Sequence, residues 1–185
     1  YGLRGLPCDF ISVTYGAGGS DTQKNKTFEI ASLIQDEYKI EPVTHLTCLT
    51  SSKEEIRAVL DQLKEKGIQN ILALRGDHNP DIPPKQDFGY ASDLVRYIKE
   101  YDDSFNVLGA CYPGRHCDCD SLEQDIENLK IKVENGASHL VTQLFFNNDY
   151  FYRFMDKLVQ KGISVPVSAG IMPVVNKAQI ERTVS

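Results

Sequence analysis

A chain of 185 residues with 41% hydrophobic and 25% charged side chains carries enough apolar material for one ordinary domain, which excludes a disordered tail or a fibrous repeat. The 20 Lys and Arg against 26 Asp and Glu leave a net charge of −6, a poor footing for a polyanionic partner, so nucleic acid is not expected as the ligand. No apolar run approaches the roughly 18 residues that span a bilayer, and no charged-then-apolar leader precedes the first strand, so no membrane association and a cytoplasmic location are expected. Five cysteines, an odd number in a domain of this size, predict reduced thiols.

In chain order, β-branched apolar runs alternate with longer segments whose hydrophobic residues fall at helical spacing. A strand is expected over 9–15, then Gly16-Ala17-Gly18-Gly19, whose backbone N–H groups at the head of a helix over 22–38 would suit an anion. A strand over 43–49 and a helix over 53–66 follow, with Ser52 as N-cap and Gly67 where a left-handed C-terminal residue belongs. After a strand over 70–74, the stretch from His78 to Gly89, with Pro80, Pro83 and Pro84, is the one long irregular segment and reads as a functional loop. Next come a helix over 90–101, a strand over 107–112 and a helix over 121–135 bounded by Ser121 and Gly136. A strand over 139–145, a helix over 148–161 closed by Gly162, and a strand over 165–169 complete the pattern, and a last helix opens near Asn176.

Strict strand–helix alternation calls for parallel strands joined by right-handed crossovers, which leaves an open doubly wound sheet or a (β/α)8 barrel. Polar residues stand at almost every strand end: Thr14-Tyr15-Gly16-Ala17, His45 and Thr47, Arg75-Gly76-Asp77, Tyr112, and Thr142-Gln143. A doubly wound sheet concentrates its ligand at one switch point, whereas a barrel gathers function from many strand ends, so the (β/α)8 TIM barrel is preferred. Residues 1–185 are expected to form a single catalytic barrel domain in fragment form, about six βα units, with one strand before Tyr1 and one after Ser185.

Four features carry possible chemistry. Leu74-Arg75-Gly76-Asp77 would bury a carboxylate at the barrel mouth, at a cost that donors or Arg75 must offset; alternatively Asp77 caps a turn while Arg75 pairs with a neighbour. Gln143 in the apolar run 140–146 would be a buried amide, able to meet both edges of a heteroaromatic ring or else bonded to Thr142 or water. The segment from Cys111 to Asp120 is rich in metal-ligand types, but a CxC loop with no second ligand pair is a weak metal signal, so no metal site is expected and a ligand-covering loop is preferred. Asp125, Asn128 and Lys132 share one helix face, which spacing alone reads as solvated.

Taken in order, Ser12-Val13-Thr14-Tyr15-Gly16-Ala17, His45-Leu46-Thr47-Cys48, Leu74-Arg75-Gly76-Asp77, Tyr90-Ala91-Ser92-Asp93-Leu94, Tyr112-Pro113, Thr142-Gln143 and Gly170-Ile171-Met172-Pro173-Val174 resemble the methylenetetrahydrofolate reductase family. That resemblance implies a flavoprotein barrel that passes hydride from NAD(P)H through FAD to 5,10-methylenetetrahydrofolate, giving 5-methyltetrahydrofolate by ping-pong turnover. It implies FAD contacts at Thr14, Tyr15, Ala17, His45, Arg75, Gly76, Asp77, Tyr90, Ala91, Tyr112, His116, Cys119, Asp125, Asn128 and Lys132. Asp77 and Gln143 resemble the family's catalytic pair and, with Gln179, its folate contacts. The family's general acid, a glutamate on the first barrel strand, would lie ahead of Tyr1, and Gly114 and Cys117-Asp118-Cys119 depart from the usual loop.

The residues by themselves leave other classes open. A non-flavin pterin-binding barrel enzyme such as a methyltransferase would use the same strand ends, and a scaffold built on the cysteine loop would bind zinc and carry no chromophore. A Schiff-base aldolase would need a strand-end lysine, which none of the strands offers. A homo-oligomer is compatible with each reading.

Overall fold

The structure is a computed structural model that describes residues 5, 7–14, 21–78, 80–173 and 175–177, with the backbone alone for 21–25. Six strands and five helices alternate: β1 (Phe10–Val13), α1 (Asp21–Tyr38), β2 (Glu41–Thr47), α2 (Lys53–Glu65), β3 (Asn70–Leu74), α3 (Ala91–Tyr101), β4 (Asn106–Cys111), α4 (Leu122–Glu134), β5 (Ala137–Thr142), α5 (Asn148–Gln160) and β6 (Val167–Ser168). All five ladders are parallel, and the strands lie side by side in chain order.

That order separates the two architectures. A doubly wound sheet reverses its winding at a switch point and so covers both faces with helices. Here the winding never reverses, so right-handed crossovers put every helix on one face. The sheet curls around the other face into a half-barrel, the (β/α)8 fold expected from the sequence, in fragment form.

Strand periodicity divides the packing accordingly. Leu46, Ile71, Ala73 and Val107 point outward and are buried with Ile56, Leu60 and Leu63 of α2 and Leu94, Val95 and Ile98 of α3. A second outer cluster joins Cys111 and Leu140 to Ile126 and Leu129 of α4 and Phe154 and Leu158 of α5. Val43, Leu72 and Leu108 point inward, packed by Phe10, Leu74 and Val141.

The helices start and stop for local reasons. Ser52 accepts the Glu55 N–H while the Glu55 carboxylate accepts the Ser52 N–H, a reciprocal cap, and Ser121 accepts from Gln124. Gly67 and Gly162, at φ 69° and 73°, occupy the left-handed positions that end α2 and α5. Between α4 and α5, Glu123 pairs with Lys157 and Glu127 with Lys161, one helical turn further along both helices.

Several expected boundaries shift. The first strand ends at Val13. The fifth stops at Thr142, not residue 145, and the sixth keeps only Val167 and Ser168. Pro166 has no N–H to give and contributes only its carbonyl, to Leu140 at 2.8 Å; after Ser168 the Gly170 N–H turns to the Thr142 hydroxyl, at 2.8 Å, and the ladder ends. Tyr90 is the N-cap of α3 and not its first residue, and the Asp93 carboxylate takes the Gly89 and Tyr90 N–H groups. Asn147, not singled out from the sequence, caps α5 through the Asp149 N–H. Helical structure begins again at Lys177, as Asn176 suggested.

Candidate functional site

The C-terminal ends of β3 and β4 hold a dense polar group. Arg75 follows β3, and its guanidinium donates to the Asp118 carboxylate at 2.6 Å, across to the loop after β4. That contact holds the Asp118 carboxyl below the usual carboxylate range. Asp77 is exposed rather than buried, and the partner expected of it, Arg75, is engaged by Asp118. Gly76 takes φ 89°, and a Cβ there would stand 3.2 Å from Thr47, so the chain passes close over the end of β2.

Tyr112, at the end of β4, stands edge-on to His116 with ring centroids 4.6 Å apart. Burial first, then the charges of Asp125, Cys117 and Asp77, push its phenol up. The His116 N–H donates to Asp125 at 2.8 Å. The Cys119 thiol lies 3.7 Å from the other Asp125 oxygen and 3.6 Å from the Asn128 amide, and burial raises its pKa. Lys132 runs inward over Gly109, its ammonium donating to the Ala110 carbonyl at 2.7 Å, and burial lowers its pKa. Asp125, Asn128 and Lys132 therefore converge on the end of β4 and its loop, and of the three Asn128 alone is exposed as the solvated-face reading expects.

One strand over, the inward-facing His45 shares a hydrogen bond with Ser12 of β1 through Nε2, and burial lowers its pKa. Beneath the Arg75-Gly76 turn, the buried Cys48 thiol contacts the carbonyls of Arg75 and Tyr90 at 3.8 and 3.7 Å. Burial, reinforced by Asp93, pushes that thiol up to about 12, so it serves as a neutral donor. Tyr90 and Ala91 are thus tied to the β3 end, with the Tyr90 ring 66% exposed. Thr14 lies past β1, and its carbonyl accepts from the Thr27 hydroxyl at 3.1 Å.

Gln143 differs from expectation. It sits just past β5 and is exposed, with its own side-chain oxygen accepting the Leu144 N–H at 2.9 Å and its N–H donating to the Cys111 carbonyl at 2.7 Å. It lines an open groove of about 480 Å³ with Thr142, Leu144, Gly170, Ile171 and Met172. With its oxygen engaged by Leu144, the side-chain amide of Gln143 has NH2 donors to offer a planar polar ligand in this groove. Tyr15, Ala17, the Gly16–Gly19 turn and Gln179 lie outside the described residues.

Sequence reasoning missed Ser12, Cys48 and Asp118 as functional neighbours. Period-two alternation from Phe10 would have turned Ser12 inward beside His45. No local signal pairs Asp118 with Arg75, which stands 43 residues away.

A sequence profile described as "Methylenetetrahydrofolate reductase" matches residues 3–185. "Methylenetetrahydrofolate reductase 1" of Schizosaccharomyces pombe is 42% identical over 169 residues, covering 89% of this chain and 28% of its own. The "5,10-methylenetetrahydrofolate reductase" of Pectobacterium carotovorum subsp. carotovorum is 39% identical over 180 residues, covering 97% of this chain and 59% of its own. The chain thus spans well under two thirds of the length of these relatives. Among solved structures, 2,3-dimethylmalate lyase superposes with a TM-score of 0.63 at 11% identity, over 95% of this chain and 66% of its own, a likeness of fold alone. The strand-end residues and the match along nearly the whole chain agree: the chain belongs to the methylenetetrahydrofolate reductase family.

Proposed function

We propose that the chain contributes the cofactor- and folate-binding mouth of an enzyme that reduces 5,10-methylenetetrahydrofolate to 5-methyltetrahydrofolate, with FAD as cofactor and NAD(P)H as donor. The observation that carries the reading is the gathering of Arg75, Asp77, Tyr112, His116, Asp125, Asn128 and Lys132 at two adjacent strand ends, although they are spread over 58 positions of the chain.

The residues present fit a dinucleotide of flavin type. Arg75 and Lys132 offer two cations for a diphosphate, Asn128 and the backbone supply neutral donors, and Gly76 leaves room for close approach because a Cβ there would press on Thr47. When bound, FAD supplies the hydride relay between donor and folate. The chain's own groups bind and orient. Asp77, an exposed carboxylate beside Tyr112, accepts hydrogen bonds from the amino group of a pterin. Gln143 presents donor and acceptor to a pterin or a carboxamide from the β5 end. His45, kept neutral by burial, places an uncharged ring on the inner face. Sharing these positions between donor and folate calls for ping-pong turnover. Five free thiols support a reducing, cytoplasmic setting.

The test is made on full-length protein. Reconstitution with FAD is expected to give flavin absorbance, and NAD(P)H followed by folate is expected to bleach and restore it. Gln143→Ala should retain flavin and weaken folate by roughly 1–3 kcal/mol, the cost of groups left unpaired. Folate binding with no flavin retained would overturn the reading in favour of a pterin-binding methyltransferase.

A further inference from the structure

We propose that His116, Cys117 and Asp118 form a binding site for a zinc-class divalent cation at the rim of the β3–β4 mouth. Among the described residues, this is the one group in which imidazole, thiol and carboxylate ligand atoms all lie within 4.8 Å of one another. The Cys117 sulfur stands 3.9 Å from His116 Nδ1 and 3.5 Å from Asp118 Oδ1, and His116 Nδ1 stands 3.9 Å from Asp118 Oδ2. A tetrahedral zinc centre, with Zn–S of about 2.3 Å and Zn–N and Zn–O of about 2.0–2.2 Å, has ligand-to-ligand edges of roughly 3.3–3.6 Å. With one carboxylate oxygen taken from Asp118, the three ligand atoms lie within 4.8 Å of one another, and the two edges that meet at the sulfur match such a centre to within a few tenths of an ångström.

Consecutive side chains in an extended chain point apart. Here Arg115 takes φ 114° and the Cys119 N–H returns to the His116 carbonyl at 3.1 Å, which wraps residues 116–118 into a tight turn. The CxC spacing puts Cys117 two residues from Cys119, but Cys119 is turned to Asp125 and Asn128, and Cys117 meets His116 and Asp118 on either side of it instead.

The donor set selects the ion. A thiolate with an imidazole prefers zinc, cadmium or cobalt to magnesium or calcium. Three protein ligands leave the fourth position to water, because Cys117 and Asp118 are both exposed, so the site exchanges its ion readily. Binding replaces two contacts within the turn: the Asp118 N–H now donates to His116 Nδ1 at 3.1 Å, and the Cys117 thiol donates to Asp118 Oδ1. The Cys117 S–H bond breaks, its proton passes to solvent, and the sulfur–metal bond forms. The second Asp118 oxygen stays on Arg75, which orients the carboxylate from behind.

The test is a titration of the full-length protein, freed of metal and kept reduced, with Co²⁺. One equivalent is expected to produce thiolate-to-cobalt charge-transfer absorption that Zn²⁺ displaces. Cys117→Ser should abolish that absorption, His116→Ala should weaken binding at least about tenfold, and Cys119→Ser and Cys8→Ser should leave it intact. In the unaltered chain, Zn²⁺ should slow alkylation of Cys117 and leave Cys8 as reactive as before. No cobalt–thiolate absorption, or its survival in Cys117→Ser, or equal alkylation of Cys117 with and without Zn²⁺, would overturn the proposal. None of these measurements depends on flavin or folate binding.

Discussion

The two faces of the sheet are built on different principles. Outward, Leu46, Ile71, Ala73 and Val107 meet the apolar side chains of α2 and α3. Inward, among the described residues, Val43, Leu72 and Leu108 form the buried hydrophobic cluster, and beside them stand directional pairs: Ser12 with His45, His139 with Ser168 at 2.8 Å, and Asn106 with Asn70 at 3.0 Å. The outer face is held by contacts that accept many side chains of similar volume, whereas the inner face is held by partners that accept few. Stability is concentrated on one side of the strands and chemistry on the other.

Leu60→Ala would break that contrast most visibly. Leu60 is fully buried on α2, and its loss should cost about 2–5 kcal/mol, read as a shift in urea midpoint at constant slope. Ser12→Ala on the inner face should cost about 1 kcal/mol, one hydrogen bond to His45. Equal losses would erase the distinction between the faces.

Lys132 is a polar residue within the outer face, and it supplies a sharper test. A Cβ on Gly109 would lie 2.7 Å from Lys132 Cδ, and Lys132 is pinned by its bond to the Ala110 carbonyl. Gly109→Ala should therefore cost roughly 1–3 kcal/mol. In a Lys132→Ala background the same change should be nearly free, and a double-mutant cycle of stabilities measures the difference. Simple additivity would show that Lys132 does not fill the space above Gly109.

A smaller effect follows from His45. Its folded pKa lies below the ordinary value of about 6.5, so the unfolded chain takes up the proton first as pH falls. Stability contributed by the neutral ring is present above about pH 6.5 and declines below it, down to the folded pKa. Denaturation midpoints between about pH 7.5 and 5 should show that slope, and His45→Gln should flatten it; an unchanged slope would assign it to other groups. Smallest of all, Glu127→Gln on the α4–α5 surface should leave the denaturation midpoint almost unchanged, since its partner Lys161 is solvated. A clear drop in that midpoint would mean that this ion pair acts as part of a coupled network with Glu123 and Lys157.

Much of this was legible from local pattern. Ser52, Ser121, Gly67 and Gly162 mark helix ends because caps act within four residues, and the buried stripe of α2, Ile56, Val59, Leu60 and Leu63, declares itself by spacing. The choice of barrel over doubly wound sheet was readable from polar strand ends, and the strand order bears it out. What escaped was non-local. Thr142-Gln143 reads as continuous strand because nothing nearby records that β6 is only two residues long, and a partner strand decides where a parallel ladder ends. Arg75 beside Asp77 suggests a pair by proximity in sequence, yet the guanidinium reaches Asp118 on the next loop, where the curl of the sheet brings the two strand ends together.

The uninterrupted strand order also bears on how the chain reaches this form. Each ladder joins residues about thirty positions apart, Phe10 with Glu41 and Val107 with Ala137 among them, so each closes a loop of similar length at a similar entropic cost. No single distant encounter has to be won before the others, and a pair of neighbouring βα units can form and recruit the next along the row. Amide hydrogen exchange should accordingly be slowest in β3 and β4, the two strands farthest from either edge of the row, and quicken toward β1 and β6.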